Sequence, residues 1–284
     1  MTSSSSRQFI DLILKASDKW ANFDPAIAIE VGAYGVINRK DGTLQVEGNI
    51  YSDDFKKILA DENVSLDLTN FRPQEGPSEK IEICSSNAKQ LDISAGPELD
   101  FFFANAVVKG EWQFQQGSRG AVLMMHDVRQ RFIPPNGILE KLSKLAHLKG
   151  KCLVTSVFSC SAYTMCLSDK SGNKVSLALT GTVPIALAAG MAAGGNVALG
   201  WQVKGNSTYI RSGVAVEPEK RFIPLYSLRR SVSWLSGRLM RDSPVEDPEG
   251  DEWWSPLEAP WEPLDEEGQE ISYESDDSGV DDFE

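Results

Sequence analysis

At 284 residues the chain is long enough for one large or two small domains, and 41% hydrophobic residues with a mean hydropathy of -0.26 describe a protein soluble as made. The formal charge of -13 comes from one end: residues 242–284 hold 18 acidic residues and no Lys or Arg, whereas residues 1–241 carry 28 basic and 23 acidic residues, a net of +5. Cys84, Cys152, Cys160 and Cys166 are scattered without a CxxC pair, and His126 and His147 are the two histidines, which excludes a disulfide framework, a structural zinc site and a histidine-rich metal centre.

The first residues, MTSSSSRQF, lack the apolar run of a secretory signal, so a reducing cytosol is expected. Ser6 is placed to cap a helix, and Phe9, Ile10, Ile13, Leu14 and Trp20 follow at helical spacing with Lys15 and Lys19 beside them. This segment reads either as a helix docked on the body or as one that also meets lipid. Strands are expected at 26–38 and 44–51, joined across Arg39-Lys40-Asp41-Gly42, because Asp-Gly between alternating segments signals a hairpin. Ser52 is placed to cap a short helix carrying Phe55, Ile58 and Leu59. A short strand is expected at 64–68 and a Pro/Gly/Glu loop at 71–78.

Residues 81–93 alternate weakly, and 100–116 alternate sharply. Phe102, Ala104, Ala106, Val108, Trp112 and Phe114 share one face, opposite Asn105, Lys109, Glu111, Gln113 and Gln115, with Gly96-Pro97 as the break between the two segments. Residues 121–128 read as a buried strand. Ile138, Leu142, Leu145 and Leu148 define an amphipathic helix ending at Gly150, and 152–167 read as one long strand turned back at Asp169-Lys170-Ser171-Gly172-Asn173.

Residues 175–203 form a run of 29 residues without a charge. It exceeds the roughly 20 residues of a membrane helix, yet its period is that of strands. Val175, Leu177, Leu179, Val183, Ile185 and Leu187 lie on one parity and Ser176, Ala178, Thr180 and Thr182 on the other. Beyond a bend at 186–195, Val197, Leu199, Trp201 and Val203 face away from Asn196, Ala198, Gly200 and Gln202. Each arm approaches the roughly 9–11 residues that carry a tilted strand across a bilayer. Two readings stay open: a buried hairpin in a soluble sandwich, and a hairpin that lines a membrane barrel.

A strand at 208–216 follows. The segment 222–240 is expected to become helical, with Leu228, Val232, Leu235 and Leu239 on one side and Arg229, Arg230, Arg238 and Arg241 around it. The polyanionic end reads as a mostly disordered acidic tail. Its Trp253, Trp254 and Trp261 read either as anchors on the body or as a linear ligand for a partner, since burying one yields roughly 1.5–3 kcal/mol. The domains expected are therefore 1–241 and 242–284. No nucleotide-binding glycine pattern, HExxH or GxSxG is present, so no enzyme, cofactor or metal site is expected. The basic residues are too dispersed for a nucleic-acid site.

Two amphipathic hairpin regions, a lipid-capable N-terminal helix and a removable acidic end describe a latent β-pore former. With GAVLMM (120–125), LKGKCLVTSVF (148–158), NVALGW (196–201) and RFIPLYSLR (221–229), the chain resembles the gasdermin pore-forming domain, and more closely the fungal gasdermin-like proteins of heterokaryon incompatibility. The likeness spans roughly residues 5–240 as organisation.

That resemblance implies an α+β fold, a twisted mixed or antiparallel sheet with peripheral helices. It implies a protein that is cytoplasmic when inactive and moves to the plasma membrane or other membranes when activated. There it binds acidic lipids (cardiolipin or phosphoinositides), oligomerises into a β-barrel and causes pyroptosis-like programmed cell death. Animal relatives are repressed by a folded C-terminal domain. A 43-residue acidic tail departs from that pattern and matches fungal relatives with a short inhibitory tail. Some of those are cut by a serine protease, and others are triggered by an incompatible allelic partner. The implied roles are membrane hairpins at Phe102–Phe114 and Val175–Val203, lipid or tail contact at Phe9, Ile13, Lys15, Lys19, Arg229, Arg230, Arg238 and Arg241, and cleavage near Phe222, Leu235, Leu239 and Met240. The rival reading is a soluble cytosolic interaction protein whose Trp-containing tail recruits a partner.

Overall fold

The computed structural model describes residues 3–91, 106–135, 137–180, 184–188, 202–204, 208–215, 221–231, 253–265 and 267–271. The architecture is α+β, and its strand pairings are antiparallel.

The spine is the long run expected at 152–167. It is interrupted at Ser161 into β8 (Cys152–Cys160) and β9 (Ala162–Leu167). Both halves pair with β7 (Ala121–Phe132) in unbroken register, from Phe132↔Ser156 to Arg129↔Ser159 and then from His126↔Ala162 to Ala121↔Leu167. The interruption lies where β7 carries Asp127 at φ 50, a conformation unusual for a residue with a side chain. Arg221 holds that position: its Nη1 donates to the Asp127 carboxylate at 2.8 Å, its Nη2 donates to the Asp127 carbonyl, and its Nε donates to Ser159 Oγ at 3.2 Å.

Along the other edge of the spine run β14 (Phe222–Ser231) beside β8 and β13 (Thr208–Val214) beside β9. Outside β14 lie β1 (Trp20–Ala21) and β15 (Trp254–Pro256), and outside β13 lies β12 (Gln202–Lys204). β4 (Gln74–Cys84) covers the far edge of β7, and the hairpin β2 (Ala33–Ile37) and β3 (Leu44–Asn49) joins the start of β8. A separate four-stranded sheet runs β11 (Pro184–Ala188), β10 (Lys174–Thr180), β6 (Ala106–Phe114), β5 (Ala88–Leu91).

Strand alternation sends the two faces of the large sheet into two cores. Leu123, Met125, Tyr163, Met165 and Leu167 join the larger core with α1 (Ser3–Ser17), α2 (Asp53–Asp61) and α3 (Ile138–Ser143). Val122, Met124, Ala162 and Cys166 pack instead against the four-stranded sheet. Burial on both faces is why GAVLMM reads as a continuous apolar run rather than an alternation.

Several expectations need correction. Residues 64–68 are not a strand: Asp67 accepts from the Thr69 N–H and starts a 3-10 turn over Leu68–Phe71. The loop expected at 71–78 is partly β4, which reaches Gln74 through a register shift between Glu75 and Ser78, a place an edge strand tolerates Pro77. The single helix expected from Ile138 to Gly150 breaks after Ser143, because the Glu62 carboxylate accepts the N–H groups of Ala146 and His147 at 2.8 and 2.7 Å and caps a second, 3-10 turn. Of the helix expected over 222–240, the part through Ser231 is a strand, flanked by β8 on one edge and by β1 and β15 on the other, with Phe222, Leu225, Tyr226 and Leu228 buried; residues 232–240 lie outside the described residues. Ser52 does cap α2, accepting from the Phe55 N–H.

Candidate functional site: a masked sheet and a strapped tail

The two amphipathic segments singled out by their period are neighbours. β10 pairs with β6 over Lys174↔Gln113 to Leu179↔Val108, and β5 closes the other side of β6 with Gln90↔Trp112. Trp112, Phe114, Val175, Leu177 and Leu179 are all buried, and they form one apolar face against the large sheet. Glu111, Gln113 and Ser176 on the opposite face are partly exposed. Gly110 is a packing requirement: a Cβ there would overlap the indole of Trp112. No strand of this sheet pairs with a strand of the larger one among the described residues. Side-chain packing and the connecting turns hold it in place. At one such turn the Gly117 N–H donates to the Lys170 carbonyl and Gln113 donates to the Gly172 carbonyl.

The hairpin geometry differs from the expected one. β10 pairs with β11 from Val175↔Ala188 to Leu179↔Pro184, so Val175 to Leu187 is two antiparallel strands rather than one arm, while most of the bend expected at 186–195 lies outside the described residues. Of the second arm, Gln202 and Val203 are described: they lie in β12, which pairs with β13 of the large sheet. Ala106 and Val108 lie in β6, and Ile185 and Leu187 lie in β11. Phe102, Ala104, Val183, Val197, Leu199 and Trp201 lie outside the described residues.

On the opposite face of the large sheet the acidic tail is strapped down. β15 pairs with β14 from Arg229↔Pro256 to Ser231↔Trp254, and the Leu257 N–H donates to the Leu228 carbonyl at 2.9 Å. Trp254 is 1% exposed, and its Nε1 donates to the Leu139 carbonyl at 2.6 Å. Trp261 is 7% exposed, meets Trp20 edge-on at 5.7 Å and donates to Asp11 at 3.0 Å. Trp20 Nε1 donates to the Leu257 carbonyl at 3.2 Å. Trp253 is partly buried, with Lys144 Nζ 5.6 Å from its ring centre. The strap is thus part of the larger core, so the mostly disordered reading of the tail does not extend to these residues.

Charge completes the strap. Glu270 accepts from buried Arg7 at 2.9 Å and from Arg39 at 3.0 Å, and the Gly268 carbonyl accepts from Arg7 Nη2 at 2.7 Å. Burial opposes ionisation of Glu270, but the Glu262 N–H and the guanidiniums of Arg39 and Arg7 outweigh it and hold its carboxyl below the usual glutamate value. Glu267 pairs with Lys170, in the turn that leads into β10. Arg39 and Lys170 were legible as turn residues, but none of Arg7, Arg39, Asp11, Lys170 or Glu270 stood out in the sequence as part of a tail contact. The charge division announced the sign of the attraction and nothing about its partners.

The remaining candidates fall differently. Phe9 and Ile13 are fully buried in the larger core, because α1 turns that stripe inward, so neither is available to lipid in this state. Lys15 is exposed and pairs with Asp11 at 2.7 Å; Lys19 donates to the Ser17 carbonyl and lies 5.7 Å from the Phe158 ring centre. Arg229 donates to the Trp254 carbonyl at 3.3 Å, and Arg230 pairs with Ser255 in the ladder. Phe222 is 2% exposed at the start of β14 and packs on Tyr163 at 5.0 Å, so it is covered in this state. Leu235, Leu239, Met240, Arg238 and Arg241 lie outside the described residues. Cys160 is fully buried, and burial pushes its thiol well above the ordinary cysteine value. No group of three or more His, Cys, Asp or Glu able to hold a metal occurs among the described residues.

No protein-family model matches the chain, and no curated protein matches it. Among solved structures it is similar to a bacterial gasdermin from Bradyrhizobium tropiciagri, over 89% of this chain and 92% of that one, at 11% sequence identity and a TM-score of 0.35.

Proposed function

We propose that the chain is a latent pore-forming protein of the gasdermin-like, heterokaryon-incompatibility type, with a pore-forming body at 1–241 and an inhibitory tail at 242–284. The carrying observation is the pairing of β6 with β10 in a sheet of its own, one face apolar and buried, the other polar. Such a sheet leaves the body at the cost of side-chain packing, with no ladder of the large sheet broken among the described residues. Its alternation suits a barrel wall with lipid outside and water within. Oligomerisation supplies the neighbouring strands that backbone groups require in hydrocarbon. No helix among the described residues is long and apolar enough to cross a membrane, a statement that leaves strands untouched.

In this reading the protein stays cytoplasmic while strapped. Removal of the tail, by a serine protease or by displacement, takes away 18 negative charges and lets the basic body meet acidic lipids such as cardiolipin or phosphoinositides. The membrane is then permeabilised and the cell dies. The reading of the tail as a partner-recruiting ligand is less well supported, because Trp254 and Trp261 are committed to the chain's own core.

Dye release from liposomes containing cardiolipin or a phosphoinositide, comparing the full chain with residues 1–241, tests the proposal. Leakage from the shortened chain alone is expected, and leakage from neither form defeats it.

A further inference from the structure

His147 lies in the 3-10 turn Ala146–Leu148 before β8, and its Nε2 faces two donors: the Tyr34 hydroxyl of β2 at 3.2 Å and the Lys151 ammonium at 3.3 Å. Lys151 also pairs with Glu47 of β3 at 2.8 Å and lies 5.2 Å from the centre of the Tyr34 ring. The Tyr34 ring meets the imidazole at 5.3 Å, nearly perpendicular, and Phe55 of α2 stands 5.7 Å from the first ring and 6.4 Å from the second. The fit is close, because a Cβ on Gly48 would overlap the Tyr34 hydroxyl. A nitrogen flanked by two donors has to accept, so the ring is neutral with its proton on Nδ1. Burial, then Glu47 and Asp54, push the Tyr34 pKa above the ordinary tyrosine value, so its hydroxyl keeps the proton it donates. Burial and then the Lys151 charge lower the His147 pKa, against smaller opposing effects of Glu62 on α2 and Glu47 on β3. The hairpin is thinly attached at this end. β2 meets β8 over two register pairs, Tyr34↔Leu153 and Gly35↔Cys152, with the Gly32 N–H donating to the Val154 carbonyl at 2.9 Å and the Cys152 thiol to the Gly35 carbonyl at 3.1 Å. Its turn end is held separately, by Ser6 and Arg7 of α1 donating to the carbonyls of Asp41 and Arg39.

We propose that His147 is an acid sensor at the root of the β2–β3 hairpin: protonation of its Nε2 sets an imidazolium against the Lys151 ammonium and frees the Tyr34–Glu47 end of the hairpin from β8, while the turn end stays on α1. The added proton removes the acceptor of two hydrogen bonds at once and leaves two cations side by side in a partly buried seat. Because the folded pKa lies below the unfolded one, the stability contributed by the neutral ring is complete above the ordinary histidine value. It is lost as pH falls from there through the lowered folded value. Glu270 in the strap responds at lower pH, below the usual glutamate value, so the hairpin loosens before the strap does. Neither the cluster nor its titration depends on the pore-forming reading.

The test uses the full chain in solution, without lipid. The chain has two histidines, so the imidazole proton signal that disappears in His147→Gln belongs to His147. That signal is expected to titrate below the ordinary histidine value, and Lys151→Met should move its midpoint up. Hydrogen-exchange protection factors at 33–36 and 46–49 should fall several-fold between about pH 7.5 and about pH 5, with those at 38–43 unchanged. His147→Gln, whose amide oxygen still accepts, should hold that protection across the same range, and Lys151→Met should lose less of it than the parent. A His147 midpoint at or above the ordinary value overturns the proposal. So does an acid step of the same size in the parent and in His147→Gln, or one that spreads equally over 38–43. Where His147→Gln fails to fold, Lys151→Met decides: an unmoved midpoint with an undiminished acid step rejects the sensor. Because no membrane is present, failure of the dye-release experiment leaves this result untouched, and the converse also holds.

Discussion

The indole Nε1 of Trp261 donates to the carboxylate of Asp11 at 3.0 Å, joining residues 250 positions apart across the seam between the acidic tail and the first helix. The ring beside it packs edge-on against Trp20, so one contact combines apolar burial with a charge-assisted hydrogen bond. Trp261→Ala is expected to lower unfolding stability by about 3 kcal/mol and Asp11→Asn by about 1 kcal/mol, since an amide oxygen still accepts. Urea titration of both single variants and the double variant checks this. The double variant should lose less than the sum, because the two changes remove one shared bond.

Glu270 makes tail docking sensitive to acid. Its carboxyl is held below the usual glutamate value, so its contribution is complete above the unfolded value and is lost as pH falls through the lowered folded one. Hydrogen exchange of 254–270, followed from about pH 6 down to about pH 3, should show the strap loosening in the parent chain. Glu270→Gln should dock more weakly throughout and lack that acid-dependent step. An unchanged acid profile in the variant would remove Glu270 from the latch.

Arg221 props the left-handed Asp127 at the interruption of the spine. Hydrogen bonding from Arg221 holds the Asp127 carboxyl below the usual aspartate value despite its partial burial. Arg221→Gln is expected to cost about 1–2 kcal/mol, moderated by solvent at the pair. Stability of the parent is retained above the unfolded aspartate value and lost as pH falls through the folded one. The variant should therefore lose part of its stability at neutral pH and show a shallower acid limb, read from thermal melts across pH.

Leu177 is fully buried between the two sheets. Leu177→Ala should cost about 3 kcal/mol in the strapped protein, measured by denaturant unfolding. Leu187→Asp, in β11, addresses the membrane state: it should abolish dye release from tail-cleaved protein, and full leakage would place β11 outside the barrel wall.

Arg230 and Ser255 are cross-strand partners on β14 and β15, where facing Cβ atoms stand about 4.5–5.5 Å apart. Cysteines at both positions should form a disulfide on mild oxidation. The tail-cut double variant is then expected to stay latent until reductant is added, compared by non-reducing gel and dye release. Leakage under oxidising conditions from fully cross-linked protein would show that β15 need not leave.

Local chemistry alone determined much of this protein. Ser52 as a cap, the Asp41-Gly42 hairpin signal between β2 and β3, the long strand at 152–167 and the alternation of Trp112 with Phe114 and of Val175 with Leu177 and Leu179 all follow from backbone preferences and side-chain period, which act over a few residues. The charge division between the two ends was equally plain. Which edges meet was not legible. Period assigns a face to β6 and β10 but no neighbour, so their pairing, and the diversion of Val203 to β12 and β13, came only with the assembled sheets. The helical reading of 222–240 failed over Phe222–Ser231 because pairing along both edges of β14 overrides a helical stripe. The strap was the least visible feature, for Arg7, Asp11 and Glu270 carry no local signal. Their partnership exists because folding brings residues some 260 positions apart into one buried seam, where a lone cation or carboxylate would be costly and a paired one is held.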